Sequence, residues 1–143
     1  MPRVSLDFPQ SVVYSHVVRL RISDINYGQH LGHDTLVSLL HDARCGWLRQ
    51  AQLSELSIGG DHIGWVVAEL VVNYKAEAFY GDELHIELAV GEIGSKGAEI
   101  FHRVVSQAGA VVGVAKVGVV FFDFATRQAV AVPQAFLQLA GRV

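Results

Sequence analysis

The feature of this sequence that most constrains its fold is a series of four extended apolar runs in its second half. They read WVVAELVVNY, DELHIELAVGEI, AEIFHRVVSQ and AVVGVAKVGVVFFDF, between residues 65 and 124. Each run is rich in β-branched and aromatic residues, which favour strands. The connections GSKG (94–97) and QAGA (107–110) are short and contain glycine, as hairpin turns require. The series therefore predicts an antiparallel sheet.

One long helix precedes these strands. Between Asp34 and Gln50, apolar residues recur every three or four positions, which is typical of an amphipathic helix. We expect Asp34 or Thr35 to be its N-cap, because a short side-chain oxygen can accept a hydrogen bond from a first-turn amide. The run at 11–23 predicts a first strand, and VPQAFLQLAG (132–141) predicts a short terminal helix.

A helix with a single apolar stripe can bury that stripe only by lying across one face of the sheet, which predicts a two-layer α+β fold. With 143 residues and no linker-like stretch, we expect one domain over residues 1–143. Charged residues make up only 17% of the chain, against roughly 25% in an ordinary domain. The last strand is apolar at nearly every position, so we expect both its faces to be dry and the protein to be an oligomer.

Composition also argues against several classes of partner. The net charge is −3 and the basic residues are scattered, so we expect no nucleic-acid partner. No apolar run reaches the roughly 18 to 20 residues of a membrane span, and we expect a cytoplasmic protein without a membrane partner. The single cysteine, Cys45, cannot form an internal disulfide, and we expect it to pack within the helix.

The stretch SDINYGQHLGHD (23–34) concentrates reactive side chains between the first strand and the long helix. Asp24 or His30 could act as a base, and the free amides at the start of the helix could stabilise an oxyanion. Asp24 could equally tie down the turn by accepting backbone amides. His30 and His33 could contribute to a metal site, but further ligands are missing at useful spacing, so we expect no metal.

These motifs resemble a known family. The stretch VRLRISDINYGQHLGHDTLVSLLHDARCGWL resembles the first strand, catalytic turn and central helix of hot-dog-fold acyl-CoA thioesterases of the 4-hydroxybenzoyl-CoA thioesterase type. VVAELVVNYKAEAFYGDELHIE and VGVVFFDFATRQAVAVP are similar to later strands of that family, so the resemblance runs from about Val17 to Pro133. It implies a sheet wrapped around the helix, a homodimer or homotetramer, a thioester of coenzyme A or acyl carrier protein as substrate, and no cofactor.

The sequence departs from the family at one important position. The family motif has Asp-x-Asp before a Gly/Gln-His pair, whereas this chain has Asp24-Ile25-Asn26 before Gln29-His30. Asn26 cannot act as a base or nucleophile, because an amide has no useful proton affinity near neutral pH, but it can orient water or a carbonyl group. The candidate catalytic residues are Asn26, Asp24 and His30. The candidate substrate-binding residues are Tyr27, Gly32, His33, Asp34, Thr35 and Lys75.

The function we predict is hydrolysis of an acyl-CoA by attack of water on the thioester. Two other functions stay open at this point. The same fold hosts enoyl-thioester hydratases or dehydratases, and a histidine near Asn26 is compatible with that chemistry. The missing carboxylate is also compatible with a non-catalytic module that binds acyl-CoA.

Overall fold

The computed structural model describes residues 2–142, which form six strands and two α-helices. In chain order they are β1 (Val12–Arg19), α1 (His33–Gln50), β2 (Ile63–Tyr74), β3 (Glu83–Ile93), β4 (Gly97–Ser106), β5 (Val111–Asp123), β6 (Gln128–Ala129) and α2 (Gln134–Leu139). A short 3-10 helix, Ile22–Asp24, lies between β1 and α1. Over residues 2–142, no helix is long and apolar enough to cross a membrane.

The strands form one antiparallel sheet in the order β1-β3-β4-β5-β2, and β6 pairs with the end of β5. The long helix α1 packs on this sheet, and the two share one hydrophobic core. This is the α+β hot-dog fold, and the sequence prediction of one central helix and an antiparallel sheet is confirmed. The edges of the sheet are β1 and β2.

The apolar stripe of α1 faces the core as the spacing predicts. Its buried apolar residues are Leu36, Leu39, Leu40, Ala43, Trp47 and Leu48. The short helix α2 packs against the second half of α1. Its Phe136 ring lies 5.9 Å from the Trp47 ring in an edge-on arrangement. Phe136 also lies 5.0 Å from Phe121 of β5. An aromatic cluster thus fixes the C-terminal half of the central helix to the sheet.

Within this one chain, strand β5 is buried on both faces only over part of its length, and the prediction that a partner subunit covers the rest stays a prediction. Residues 112–115 are buried in succession, but beyond them buried and half-buried positions alternate. Lys116 explains the change, because its ammonium group pairs with Glu69 at 2.9 Å and with Glu99 at 3.4 Å. The outer face of the sheet is therefore partly polar here.

The first strand is shorter than predicted. It ends at Arg19 rather than continuing to residue 23. Beyond it, the Asp24 carboxylate accepts a hydrogen bond from the Arg21 amide at 2.7 Å and so closes the short 3-10 helix. The alternation of an extended strand is lost before the reactive stretch begins, so Asp24 and Asn26 do not share a strand face.

Candidate active site

The reactive stretch folds into a tight turn in front of α1. Ile25 and Leu31 form an isolated antiparallel bridge, and inside it the Asn26 amide donates to the His30 carbonyl at 2.8 Å. Gln29 has a φ of 68°, in the left-handed region. The Leu31 amide donates to the Ala78 carbonyl at 2.8 Å, which ties the turn to the connection between β2 and β3. The turn is thus held from both sides.

Asn26 is oriented by this turn. Its Oδ1 accepts hydrogen bonds from the amides of Gly28 at 2.9 Å and His30 at 3.4 Å. Because an oxygen and not an NH₂ group must face these two donors, the assignment of the side-chain amide follows from the contacts. Its Nδ2 therefore remains as a donor, and Asn26 lines a cavity at this end of the helix.

The N-cap of α1 is Gly32, so the prediction of Asp34 or Thr35 was wrong. The reason lies in the backbone: the Gly32 amide donates to the Asp24 carbonyl at 3.2 Å, which fixes the chain direction two residues before the expected start. No side chain caps this end. The amides of His33, Asp34 and Thr35 consequently have no partner within the helix, and the helix dipole adds partial positive charge there.

Gly32 keeps this end of the helix open. A Cβ atom at position 32 would lie 2.8 Å from Asp34 Oδ1 and 3.4 Å from Thr35 Oγ1. Any side chain here would therefore crowd the first turn and the space in front of it. The glycine is explained by space, since its φ of −67° is open to any residue.

A cavity of about 360 Å³ lies at the N-terminal end of α1, with Gly32 and His33 in its walls. Its walls come from the turn, the first helical turn, the end of β2 and the connection that follows β2. The lining residues are Asn26, His30, Leu31, Gly32, His33, Leu36, Tyr74, Lys75, Ala76, Glu77, Ala78 and Val112. Polar groups thus converge on a mostly apolar space, as in small-molecule sites.

The cavity wall carries a histidine and a carboxylate side by side. His30 Nε2 lies 3.2 Å from Glu77 Oε2, and His30 Nδ1 lies 3.2 Å from the Leu31 carbonyl oxygen. Both ring nitrogens face oxygen acceptors, so the neutral ring can donate to only one of them. The Glu77 side chain is 63% exposed and is reachable by water and substrate.

Glu77 was missed by the sequence reasoning. It stands alone in the segment KAEAFYGD between two strands, where an acidic residue carries no particular signal. The bond between the Leu31 amide and the Ala78 carbonyl helps to bring it beside His30. The fold therefore places a carboxylate at the cavity although the motif lacks one at Asn26.

Tyr74 supports the opposite wall. Its hydroxyl donates to the His33 carbonyl at 2.8 Å, and its ring lies edge-on to the His33 ring at 6.4 Å. Burial and the nearby Asp34 carboxylate raise the pKa of the Tyr74 hydroxyl. The phenol therefore stays protonated near neutral pH and positions the first turn of α1.

Of the other candidate residues, only Lys75 lines the cavity. Asp24 is buried and is absent from the cavity lining, and its contacts with Arg21 favour the anchoring role that the sequence left open. Tyr27 is fully exposed and also outside the lining. Asp34 and Thr35 lie in the first turn of α1 and are outside the cavity lining.

Comparison with known proteins agrees with this geometry. The family model of the thioesterase-like superfamily matches residues 20–139, and the chain belongs to that superfamily. The predicted resemblance is thereby confirmed, and the assignment supports hydrolysis of a thioester as the class of activity. A search of the curated proteins finds no match.

Solved structures share the fold at low sequence identity. Slr0204, a 1,4-dihydroxy-2-naphthoyl-CoA thioesterase from Synechocystis, is 15% identical, with a TM-score of 0.81 over 91% of this chain and 96% of that one. The PA2801 protein from Pseudomonas aeruginosa is 18% identical, with a TM-score of 0.81 over 90% and 98%. The gentisyl-coenzyme A thioesterase BH1999 is 16% identical, with a TM-score of 0.76 over 86% and 98%.

Proposed function

We propose that this protein hydrolyses acyl-CoA thioesters by direct attack of water in the cavity at the N-terminus of α1. The observation that carries the proposal is the Glu77 carboxylate, which lies 3.2 Å from His30 on the cavity wall. A thioesterase needs a base for water, and Asn26 cannot provide one. In our proposal Glu77 supplies, from the connection after β2, the carboxylate that the family motif carries in the turn.

The oxyanion that forms on attack needs donors. We assign this role to the amides of His33 and Asp34 at the start of α1 and to Nδ2 of Asn26. The Gly32 amide is already bound to the Asp24 carbonyl, so it is not among them. One well-aimed donor of this kind typically lowers the barrier by about 3 kcal/mol.

The reaction then proceeds in two steps. Glu77 accepts a proton as the water oxygen attacks the thioester carbon, and His30 holds the carboxylate in place. The carbon–sulfur bond breaks as the oxyanion collapses, and the thiolate leaves as the free thiol once it takes up a proton. Asp24 acts as a positioning residue, because it fixes the Arg21 amide and, through its carbonyl, the Gly32 amide.

Lys75 is our candidate for contact with the substrate beyond the thioester. It lies at the cavity, next to the end of β2, and is exposed. An ammonium group there can serve as a point charge for a phosphate of coenzyme A. Three points stay predictions. They are contacts of Tyr27 and Thr35 with the substrate, the choice between coenzyme A and acyl carrier protein, and a cytoplasmic location.

We further propose that residues 1–143 act as one domain that pairs with a second copy along β2. Strand β2 is an edge of the sheet, and its exposed residues include Val66, Val67 and Leu70. An edge with free backbone groups and exposed apolar side chains favours pairing with another chain. We expect a homodimer or homotetramer.

Release of thiol from a panel of short, medium, long and aromatic acyl-CoAs tests the activity. We expect turnover with at least one substrate and a fall in kcat of roughly 100-fold or more in Glu77→Gln and His30→Ala, since general base catalysis typically contributes that much. His85→Ala is the matched control, because His85 lies 3.3 Å from Glu83 outside the cavity. It should keep the wild-type rate.

The rival functions give different outcomes on the same panel. A change in enoyl absorbance without release of thiol would identify a hydratase or dehydratase. Binding of acyl-CoA without turnover would identify a non-catalytic module. Full activity in Glu77→Gln, with thiol released, would keep the thioesterase and overturn the role of Glu77.

Light scattering after size-exclusion chromatography tests the assembly. We expect Val67→Glu to dissociate the oligomer, while Val17→Glu on the other edge strand leaves it intact. The two valines are a matched pair, since they are 50% and 55% exposed. A monomeric wild type, or an oligomer unaffected by Val67→Glu, would contradict the proposed contact.

A further inference from the structure

A second cluster of reactive side chains lies along α1, outside the cavity. His41 Nε2, Cys45 Sγ and Glu55 Oε1 are all within 4.8 Å of one another. The Glu55 oxygen accepts hydrogen bonds from His41 at 2.7 Å and from Cys45 at 3.5 Å. Three donor atoms of different chemistry thus converge on one point.

The local structure explains this convergence. His41 and Cys45 are four residues apart on α1, so their side chains project from the same face of the helix. Glu55 follows in the loop after α1, where Trp65 holds it twice. The Trp65 amide donates to the Glu55 carbonyl at 3.0 Å, and the indole Nε1 donates to Glu55 Oε2 at 2.6 Å.

In metal sites, ligating side chains are commonly oriented by hydrogen bonds from neighbouring groups, and the bond from Trp65 to Glu55 is of this kind. The indole N–H occupies one oxygen of the carboxylate and directs the other towards His41 and Cys45. Such an outer hydrogen bond orients a ligating group before the ion arrives. Gly64 allows the close approach, because a Cβ at that position would collide with the Glu55 carbonyl.

A separate cavity provides room for an ion and its remaining ligand. Its volume is about 260 Å³, and His41 and Glu55 are both in its walls. The His41 side chain is 55% exposed and that of Glu55 27%, so solvent reaches the cluster. The space thus opens on two of the three residues of the cluster, His41 and Glu55, while Cys45 lies outside its lining.

We propose that His41, Cys45 and Glu55 bind a zinc ion, with water as the fourth ligand. Imidazole nitrogen, thiolate sulfur and carboxylate oxygen are the ligands zinc uses in proteins, and a four-coordinate site with three protein ligands leaves one position open. On binding, the thiol proton passes to solvent, the His41 ring changes tautomer so that its proton moves from Nε2 to Nδ1, and the thiolate and carboxylate charges balance the two charges of the ion.

Burial, followed by the charge of Glu55, raises the pKa of Cys45 to about 11, while Arg44 opposes the shift. A thiol of this kind is a poor nucleophile, which agrees with a packing role for Cys45 in the absence of metal. The zinc site takes no part in the proposed hydrolysis: His41 lies eight residues beyond His33, about 12 Å along the helix.

Competition between the chelator-treated protein and a chromophoric chelator for zinc tests the proposal. We expect one zinc per chain, and a loss of affinity of at least about 100-fold in Cys45→Ser and in Glu55→Gln, because even outer-shell changes cost 10- to 100-fold. His30→Ala and His85→Ala, which remove histidines paired with carboxylates elsewhere, should bind zinc like the wild type.

Two further readouts keep the test independent of folding and of enzyme activity. Cobalt should give a thiolate-to-metal absorption band in the wild type that is absent in Cys45→Ser. Zinc should raise the Tm of the wild type and not that of Cys45→Ser, since only a ligand of the folded state stabilises it. No bound zinc, or zinc binding unchanged in Cys45→Ser, would overturn the proposal.

Discussion

The two ends of the central helix differ in how completely their side chains are packed. At the N-terminal end, Gly32 provides no side-chain cap, Gly32 and His33 line a cavity, and Glu77 is exposed to solvent. In the C-terminal half, Ala43, Trp47 and Leu48 are fully buried. The packed half holds the helix in place, so the other end can keep first-turn amides that have no partner within the helix.

A buried polar contact lies between the two ends. Arg44 Nη1 donates to His102 Nε2 at 3.1 Å, and both side chains are buried. Burial and the Arg44 charge lower the pKa of His102 to about 3. His102 therefore stays neutral and serves as an acceptor for the guanidinium group.

The largest effect on stability should come from the packed half. Trp47→Ala removes a fully buried ring that contacts Phe136 and should lower the free energy of unfolding by about 3–5 kcal/mol. Tyr27→Ala, which truncates a fully exposed ring, should change it by less than about 0.5 kcal/mol. Chemical denaturation measures both. Equal effects of the two substitutions would contradict the comparison.

The next effect is a dependence of stability on pH. In the unfolded chain His102 has a pKa of about 6.5, so below that pH it is protonated, whereas in the folded protein it stays neutral. The free energy of unfolding therefore falls as the pH is lowered. The neutral state of His102 costs no stability above about pH 6.5. Between that pH and about pH 3, the free energy of unfolding falls by up to about 1.4 kcal/mol per pH unit. Denaturation at several pH values should show a shallower fall in His102→Gln. An unchanged slope would contradict a buried neutral His102.

At the open end, a small substitution should affect catalysis more than stability. Gly32→Ala puts a methyl group 2.8 Å from Asp34 Oδ1, so the exposed Asp34 side chain must move, and the methyl group adds bulk at a residue that lines the cavity. We expect this bulk to displace the bound thioester, and a displacement of about 1 Å at a reacting group can reduce kcat about 100-fold. Gly94→Ala, in a turn where the nearest atom to an added Cβ is at 3.8 Å, is the control. A large loss of stability in Gly32→Ala without loss of kcat would reverse the expectation.

The smallest effect concerns strain in the turn. Gln29 has a φ of 68°, a conformation that costs a non-glycine residue about 1 kcal/mol. Gln29→Gly should therefore raise the free energy of unfolding by up to about 0.5 kcal/mol once the greater freedom of the unfolded chain is subtracted. Gln50→Gly at the end of α1 should have the opposite sign. Destabilisation by Gln29→Gly would show that its side chain matters more than its backbone.

The comparison also explains what the sequence could predict. The packed half of α1 followed from the spacing of residues such as Leu40 and Trp47, because periodicity reports which face is buried. The start of α1 could not be predicted from the sequence. Capping preferences point to Asp34, whereas a backbone hydrogen bond from Gly32 to Asp24 fixes the N-cap at Gly32. Glu77 could not be predicted either, since it meets His30 only through pairing between distant segments.

The most direct test of the account is the rate of thiol release by Glu77→Gln on the best acyl-CoA of the panel, compared with the wild type. We expect kcat to fall by roughly 100-fold or more while the Tm stays unchanged, because the substitution removes the base and keeps an exposed polar side chain. A wild-type rate in Glu77→Gln would contradict the claim that this carboxylate, and not the turn motif, activates water.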